Sequence, residues 1–468
     1  MSHRASLLGR GYQDNHLDSP RVRFRRALTL CLMTIVVPGS GHIMAGRRGV
    51  GWFAVTVWLG VVGAGGYLLW KTRTDRAEVL GWFTDPDLLL LARAAMVVVA
   101  VLWVVLFVDA WRLGSPFRLN FARAAVITVL NLAIIGGVAG STAYASQLIQ
   151  VSRETVKTVF KATETSAPLK GRYNILLVGS DARADRTGVR PDSLTVASID
   201  ADTGKVVLVS LPRNLQNVPF SEGSPMRTIY PYGYNCGSEC LLNAVHTTAQ
   251  NRTDLYPDSA DPGLDATIDA VQGVTDLKIN YYVMVNLNGF KGLVNAVGGV
   301  TIDVKNRIAM FGHDDAYKNV YIEPGEQKLD GQKALWYARS RVESDDYTRM
   351  GRQKCLMAAM AGQLSPQTVL FNATKIADSG KELLSTNIPA KELGQFADLA
   401  LKSRGNKIRT VSVVPPQFNP VAPDFPAIQA AIQKAIDKSE ATKAPNPSAT
   451  KDTSGRASNN ADDLEATC

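Results

Sequence analysis

Histidine and cysteine are scarce in this chain, five of each in 468 residues. Both are scattered, and no spacing typical of a zinc site or a disulfide scaffold occurs. Only His246 and His313 fall in the last two thirds, and neither lies in a nucleophile motif. A Ser-His-Asp or Cys-His triad therefore has no support. An excess of positive charge is also missing there. Residues 151–468 hold 36 Lys+Arg against 35 Asp+Glu, a net of +1. That balance offers no electrostatic footprint for nucleic acid, and no nucleic-acid partner is expected.

Charge is absent altogether from long windows in the first third. Residues 49–70 and 124–151 carry none, and 88–111 carries only Arg93 and Asp109 near its two ends, where long side chains can snorkel. A fourth apolar window, 27–46, is broken in the middle by Pro38-Gly39-Ser40-Gly41, which suggests a re-entrant or kinked segment. Further spans follow it and no clear cleavage site does, so it is not read as a signal peptide. Residues 1–151 are therefore expected to form an α-helical anchor in the lipid bilayer, with three spans plus one re-entrant or fourth segment. The first 150 residues hold 15 Lys+Arg and 7 Asp+Glu, a net of +8. Arg21, Arg23, Arg25 and Arg26 precede the first apolar window and place the N-terminus in the cytoplasm. Three spans then put the remainder of the chain outside the cell membrane and four put it inside; the broken first window favours three.

The rest divides by composition. Residues 152–170 are polar, rich in Thr and Lys, and read as a linker. The tail 438–468 has almost no large apolar residues and reads as disordered. Between them, at 171–437, apolar windows alternate. Strands are expected at 173–179, 194–199, 206–211, 281–285, 300–304, 334–339 and 408–414. Helices are expected at about 239–251, 264–274, 287–297, 346–363 and 388–402. The fold class implied is α/β: a layered α-β-α domain with a central mixed sheet, preceded by the anchor.

Chemistry gathers at the ends of these elements as arginine and aspartate. The first strand runs into Gly179-Ser180-Asp181-Ala182-Arg183. The second is entered through Arg190-Pro191-Asp192-Ser193, where Arg190 and Asp192 share a face if the segment is extended. The third ends in Pro212-Arg213-Asn214. The window expected as a sixth strand leads into Arg339-Ser340-Arg341, two like charges on one face that call for an anion between them. The helix after it starts near Asp345-Asp346, good N-cap chemistry. Arg349, Arg352 and Gln353 lie on one side of it. Seven arginines suit phosphate, because the guanidinium fork binds oxygens in pairs and keeps its charge. Two carboxylates without sulfur or imidazole suit a hard cation such as Mg²⁺. Phosphoryl chemistry is the reading these ingredients favour.

At this point a resemblance is visible. Residues 174–183 (NILLVGSDAR), 190–193 (RPDS), 209–213 (VSLPR), 281–299 (YYVMVNLNGFKGLVNAVGG), 329–341 (LDGQKALWYARSR) and 346–353 (DYTRMGRQ) follow one another in the order seen in the LytR-CpsA-Psr family. The chain resembles the actinobacterial style of member in 211–220 (LPRNLQNVPF) and 240–244 (CLLNA). The resemblance implies an extracytoplasmic phosphotransferase of the cell envelope. Such an enzyme moves a glycopolymer from its polyprenyl-pyrophosphate carrier to peptidoglycan, through a phosphodiester. It implies Mg²⁺ at Asp181 and Asp192, and pyrophosphate binding by Arg190, Arg213, Arg339, Arg341, Arg349 and Gln353. Arg183 and Arg352 join the site from the arginine pattern, and Arg190 is placed with the two aspartates as catalytic. A hydrophobic lipid tunnel between sheet and helices is implied too. The chain departs from the family pattern at Asn214, where many members carry Asp, and at Leu241, where they carry Lys. Arg227 is a candidate for the missing charge.

Other readings are a non-catalytic polyprenyl-phosphate binding protein and, disfavoured by charge and anchor, a membrane-bound transcriptional regulator. A glycosidase would have little use for seven arginines around a neutral sugar. Cys236 and Cys240 (YNCGSEC) are expected to pair in an oxidising compartment. Cys355 is expected to be buried and unpaired.

Overall fold

The computed structural model describes residues 20–160, 164–181, 191–311, 320–342, 345–363 and 384–441. The chain forms two compact units, Met1–Arg153 and Glu154–Cys468.

In the first unit the described helices are α1 (Pro20–Val36), α2 (Ser40–Met44), α3 (Arg48–Thr74), α4 (Arg76–Trp82), α5 (Pro86–Leu113) and α6 (Phe121–Val159). Three stretches are long and apolar enough to cross a membrane: α3, α5 with the short turn after it, and α6. The broken window folds as two helices, α1 and α2, with the break between them. Chain direction reverses at Gly39, whose φ is +94° and whose missing side chain would lie 2.3 Å from the Gly51 carbonyl oxygen. Only glycine fits that approach. The reversed segment is tied to α5 through Asp109, which takes Arg47 at 2.6 Å and faces His42 at 3.3 Å. At the same end, Ala27 of α1 packs with Ile127 of α6, and Gly114 leaves room for it. Arg21, Arg23, Arg25, Arg26, Arg47, Arg48, Arg112, Arg118 and Arg123 thus collect at one end of the bundle, with Asp109 as their acidic neighbour. At the other end Lys71 is matched by Glu78 and Asp75.

Helix α6 continues to Val159, well into the segment that composition marks as a linker. The reason is local: residues 152–159 hold no glycine or proline, so nothing stops the helix.

The second unit is built on a six-stranded sheet. Its strands are β1 (Arg172–Ser180), β2 (Pro191–Asp200), β3 (Val206–Leu211), β4 (Tyr281–Asn286), β9 (Leu384–Thr386) and β10 (Arg409–Ser412), in the order β10-β3-β2-β1-β4-β9. The sheet is mixed: β1–β2, β2–β3 and β4–β9 are antiparallel, while β1–β4 and β3–β10 are parallel. Outside it lie β5 (Val300–Val304), β6 (Ile308–Ala309), β7 (Tyr321–Ile322) and β8 (Gly325–Leu329), paired as β5–β8 and β6–β7. The helices are α7 (Val245–Gln250), α8 (Pro262–Thr275), α9 (Leu287–Ala296), α10 (Gly331–Arg339), α11 (Asp346–Gln363), α12 (Leu393–Ser403) and α13 (Phe425–Glu440).

Strand alternation explains the layers. Leu176, Val178, Val196, Val207 and Val209 face one way, onto Val245 and Ala249 of α7, Val271 and Val274 of α8, and Ile428 and Ile432 of α13. Ile175 and Tyr173 face the other way, onto Leu399 and Phe396 of α12. Ala197 and Leu208 lie on that second face too, against Ala358 of α11. The residue period of two in the strands thus sorts side chains into two helix-covered faces, the layered α-β-α arrangement that the alternation of windows implies. A second core joins β5, β8, α9 and α10 through Val294, Val300, Leu329, Ala334 and Tyr337.

One expected strand is a helix. Residues 334–339 lie in α10, where Asp330 caps the Lys333 N–H at 2.8 Å. Gly331, Ala334 and Tyr337 are its buried positions, a spacing of three that belongs to a helix. A short apolar run with aromatic residues reads equally well either way, and the cap and this spacing decide it. Two features of the tail and sheet were not anticipated: β9, and α13, which reaches Glu440. The tail beyond residue 441 lies outside the described residues.

Cys236 and Cys240 form a disulfide with Cα atoms 5.2 Å apart, as their spacing suggests. Cys355 is disulfide-bonded as well, contrary to the expected buried thiol. Its side chain is only half-buried, so a partner can reach it.

Candidate functional site

The site is set by the hairpin of β1 and β2. Their register runs from Arg172 opposite Asp200 to Gly179 opposite Ser193, then slips so that Ser180 faces Pro191. Asp181, directly after β1, and Asp192, second residue of β2, therefore stand at the same end of the hairpin. Asp181 is buried, at 7% exposure. Next in the sheet, β3 ends at Leu211, and Pro212 carries the chain out to Arg213 at that same end. Arg213 donates to Asp192 Oδ1 at 2.8 Å. Its backbone is braced by the next segment, since the Asn243 N–H donates to the Arg213 carbonyl at 3.0 Å.

Helix α11 completes the wall. Asp345 is its cap, accepting from the Thr348 N–H at 2.7 Å. Asp346 and Arg349, three apart, pair through two parallel hydrogen bonds of 3.1 and 3.0 Å. The buried Arg349 also donates to the backbone carbonyl of Asp192 at 3.1 Å. Asp346 reaches Arg213 Nε at 3.4 Å. Gln353, one turn on, accepts from Ser193 Oγ and donates to the Ala338 carbonyl, both at 3.2 Å. Burial by itself would raise the pKa of Asp346. The hydrogen bonds and charge of Arg349, followed by Arg213 and Arg341, outweigh it and hold the carboxyl below its ordinary range.

Arg341 follows α10 and is exposed. Partial desolvation first and the Arg213 guanidinium second hold its pKa below the ordinary value, against Asp192 and Asp346, so it belongs to the same charge network. The geometry differs from two arginines on one strand face. Arg339 is the last residue of α10, Ser340 is extended, and among the described residues no hydrogen bond or ion pair ties Arg339 to the network. Arg352 turns to the Ser340 carbonyl, buttressing the segment that carries Arg341. Arg183 and Arg190 lie outside the described residues, as does His313. Arg227 is exposed on a short turn at Pro225–Thr228. Asn214 keeps a buried Oδ1 without a hydrogen-bond partner among the described residues.

Between β2, β3 and α11 lies a small crevice with room for about one water molecule. Asp192, Arg349 and Gln353 give it a polar side, and Leu194, Leu211, Met350 and Met357 an apolar one. Sequence reading missed one participant, Asp346, and the burial of Lys354, a neighbour in sequence. Asp346 was legible only as a helix-start residue, although its spacing of three from Arg349 is the signal of a paired charge. Lys354 is fully buried beside Gln353, and burial pushes its pKa down to about 8. No periodicity announces a buried lysine.

A family model, the LytR_cpsA_psr family, matches residues 141–417. The chain belongs to the LytR_cpsA_psr family. Among family relatives, it is 26% identical over 281 residues to the polyisoprenyl-teichoic acid–peptidoglycan teichoic acid transferase TagV of Bacillus subtilis, covering 57% of this chain and 66% of that protein. It is 29% identical over 228 residues to the cell wall biosynthesis protein LcpA of Corynebacterium glutamicum, covering 44% and 42%. The crystal structure of B. subtilis TagV aligns with 26% identity and a TM-score of 0.42, over 58% of this chain and 98% of that one. The chain thus spans less than two thirds of the length of these curated relatives.

Asp181 and Asp192 fit a hard divalent cation in donor chemistry. Both carboxylates stand at one hairpin end, and Asp192 spends Oδ1 on Arg213 while its other carboxylate oxygen makes no hydrogen bond among the described residues. Those residues contain no cluster of three or more Asp, Glu, His or Cys. One or two carboxylates completed by water and phosphate is the usual way Mg²⁺ is held.

Proposed function

We propose that this protein is a phosphotransferase of cell-wall assembly. It takes a glycopolymer from a polyprenyl-pyrophosphate carrier and joins it to peptidoglycan through a phosphodiester. The observation that carries this reading is the network of Arg213, Arg341 and Arg349 with Asp192 and Asp346 at one sheet end. Its clustered guanidinium groups suit the oxygens of a diphosphate. The names of the family relatives support it.

In the reaction a hydroxyl oxygen of the acceptor bonds to the phosphorus that bears the glycopolymer. The bond from that phosphorus to the bridging oxygen breaks, and polyprenyl phosphate leaves with the electron pair. The hydroxyl proton passes to a base. Arg213, Arg341 and Arg349 neutralise charge on the diphosphate oxygens, and Gln353 donates to or orients them. Asp192 and Asp346 hold Arg213 and Arg349 in place before substrate arrives, so little reorganisation is needed. Asp181 and Asp192 would hold Mg²⁺, which when bound supplies further neutralisation of phosphate charge. For topology, we read α1–α2 as re-entrant, α3, α5 and α6 as spans, and the arginine-rich end as cytoplasmic. The second unit is then extracytoplasmic.

The test is transfer by the full-length protein from a polyprenyl-pyrophosphate glycopolymer to peptidoglycan, reading the phosphodiester product. Asp192→Ala should abolish transfer yet still co-purify with lipid. Wild-type protein that binds the lipid and never forms product, with Mg²⁺ present, would leave a binding protein instead.

A further inference from the structure

The anchor holds a charged group that the transfer reaction does not use. Arg93 lies seven residues into α5, about 10 Å along the helix axis. Its Nε donates to Ser146 Oγ at 2.7 Å and its NH1 to Gln150 Oε1, both on α6. Ser146 and Gln150 are four apart and share one helix face. One turn further, Arg153 donates to the Pro86 carbonyl at 3.0 Å and closes α6 onto the start of α5. The guanidinium is half-buried and aimed by two neutral side chains. No carboxylate among the described residues lies within ion-pair distance of it, in contrast to Arg47 at the opposite end, which is neutralised by Asp109.

Ser146 and Gln150 hold the guanidinium toward α6 instead of leaving it to snorkel freely, and an anion there would offset its charge. Merely stapling two helices would not require it, since Ser, Asn or Gln side chains do that without charge. The position is that of a lipid phosphate: just inside the interface, at the end of the anchor from which the chain continues into its second unit. A guanidinium with Nε and one NH₂ fixed still presents its other NH₂ to a phosphate oxygen.

We propose that Arg93, steered by Ser146 and Gln150, is a recognition site for the phosphate head-group of a membrane lipid. The site is distinct from the arginine network of the second unit. Its occupant is an anionic phospholipid or a polyprenyl phosphate, which share that chemistry.

Full-length protein is reconstituted in phosphatidylcholine nanodiscs with either phosphatidylglycerol or a polyprenyl phosphate. Retained lipid is counted by native mass spectrometry, and melting is followed alongside. Wild type should retain about one phosphate lipid per chain above the phosphatidylcholine background, and melt at higher temperature with it. Arg93→Gln should lose at least tenfold in phosphatidylglycerol retention, with no melting response to that lipid, and with polyprenyl phosphate should retain about one lipid per chain fewer than wild type. Arg93→Lys should fall between. If Arg93→Gln does not fold, the Ser146→Ala/Gln150→Ala pair keeps the charge but frees its direction, and retention should drop several-fold. Competition between the two lipids names the source. Retention and lipid-dependent melting equal to wild type in Arg93→Gln, or in the Ser146/Gln150 pair where that is the variant tested, would overturn the site and leave a helix staple. Transfer activity is not part of this readout, so failure here leaves the proposed reaction standing.

Discussion

At the residue scale, Asp346 shows how one carboxylate can organise several cations. It pairs doubly with Arg349 and reaches Arg213. Replacing it by Asn would leave three arginines crowded around Asp192 alone. Stability should fall by about 2–4 kcal/mol, toward the cost of breaking a buried pair. The pH dependence has a defined sign. A carboxyl held below its unfolded value contributes stability above about pH 4 and loses it as pH falls through the folded value. Wild type should therefore outlast Asp346→Asn in thermal melts at pH 6, and the gap should close below about pH 4. The two arginines differ in cover. Arg349 is 4% exposed and Arg341 is exposed. Arg349→Ala should weaken pyrophosphate binding by about 2–5 kcal/mol, and Arg341→Ala by less. Arg341→Lys should restore only part of the loss, because an ammonium cannot fork onto two oxygens. Calorimetric titration with inorganic pyrophosphate measures all three.

At the element scale, α10 carries the consequence of a misread period. Its start is pinned by Gly331, where a side-chain carbon would lie 2.2 Å from the Lys291 carbonyl oxygen on α9. Gly331→Ala must push α10 from α9. Because α10 leads straight into Ser340 and Arg341, the displacement should reach the site. Expected are a loss of about 2–4 kcal/mol in denaturant unfolding and weaker pyrophosphate binding, although no charged residue has changed. Unaltered affinity would show that Arg341 is positioned by α11 rather than by α10.

At the scale of the whole molecule, charge is distributed by position along the chain. Nine arginines mark one end of the anchor, while the second unit is nearly neutral and draws Arg213, Arg341 and Arg349 into one network with Asp192 and Asp346. Under the topology proposed above, the Cys236–Cys240 disulfide sits in an oxidising compartment and should persist. Alkylation under denaturing, non-reducing conditions should leave both cysteines unlabelled in protein from cells. Labelling of single cysteines placed on the surface of the second unit, by an impermeant reagent on whole cells, should succeed without lysis.

Much of this was determined by sequence alone, wherever the signal is local. Uncharged windows mark the three long apolar helices because burying charge in hydrocarbon is costly over any stretch of about twenty residues. The Pro38–Gly41 break shows as a reversal because only Gly39 tolerates its backbone. β-Rich runs mark β1 to β5, and helix α11 falls on the window expected for it. What the tertiary structure decided depends on residues distant in the chain. Whether 334–339 coils or extends turned on Asp330 and on space against α9. Which arginines share a site turned on register: Asp192, Arg213, Asp346 and Arg349 meet because β2 and α11 begin, and β3 ends, at the same end of the sheet, while Arg339, adjacent to them in sequence pattern, makes no bond to them among the described residues. The reach of Asp346 to Arg213, and the lack of a carboxylate beside Arg93 among the described residues, were invisible, since such pairing is a property of neighbours in space.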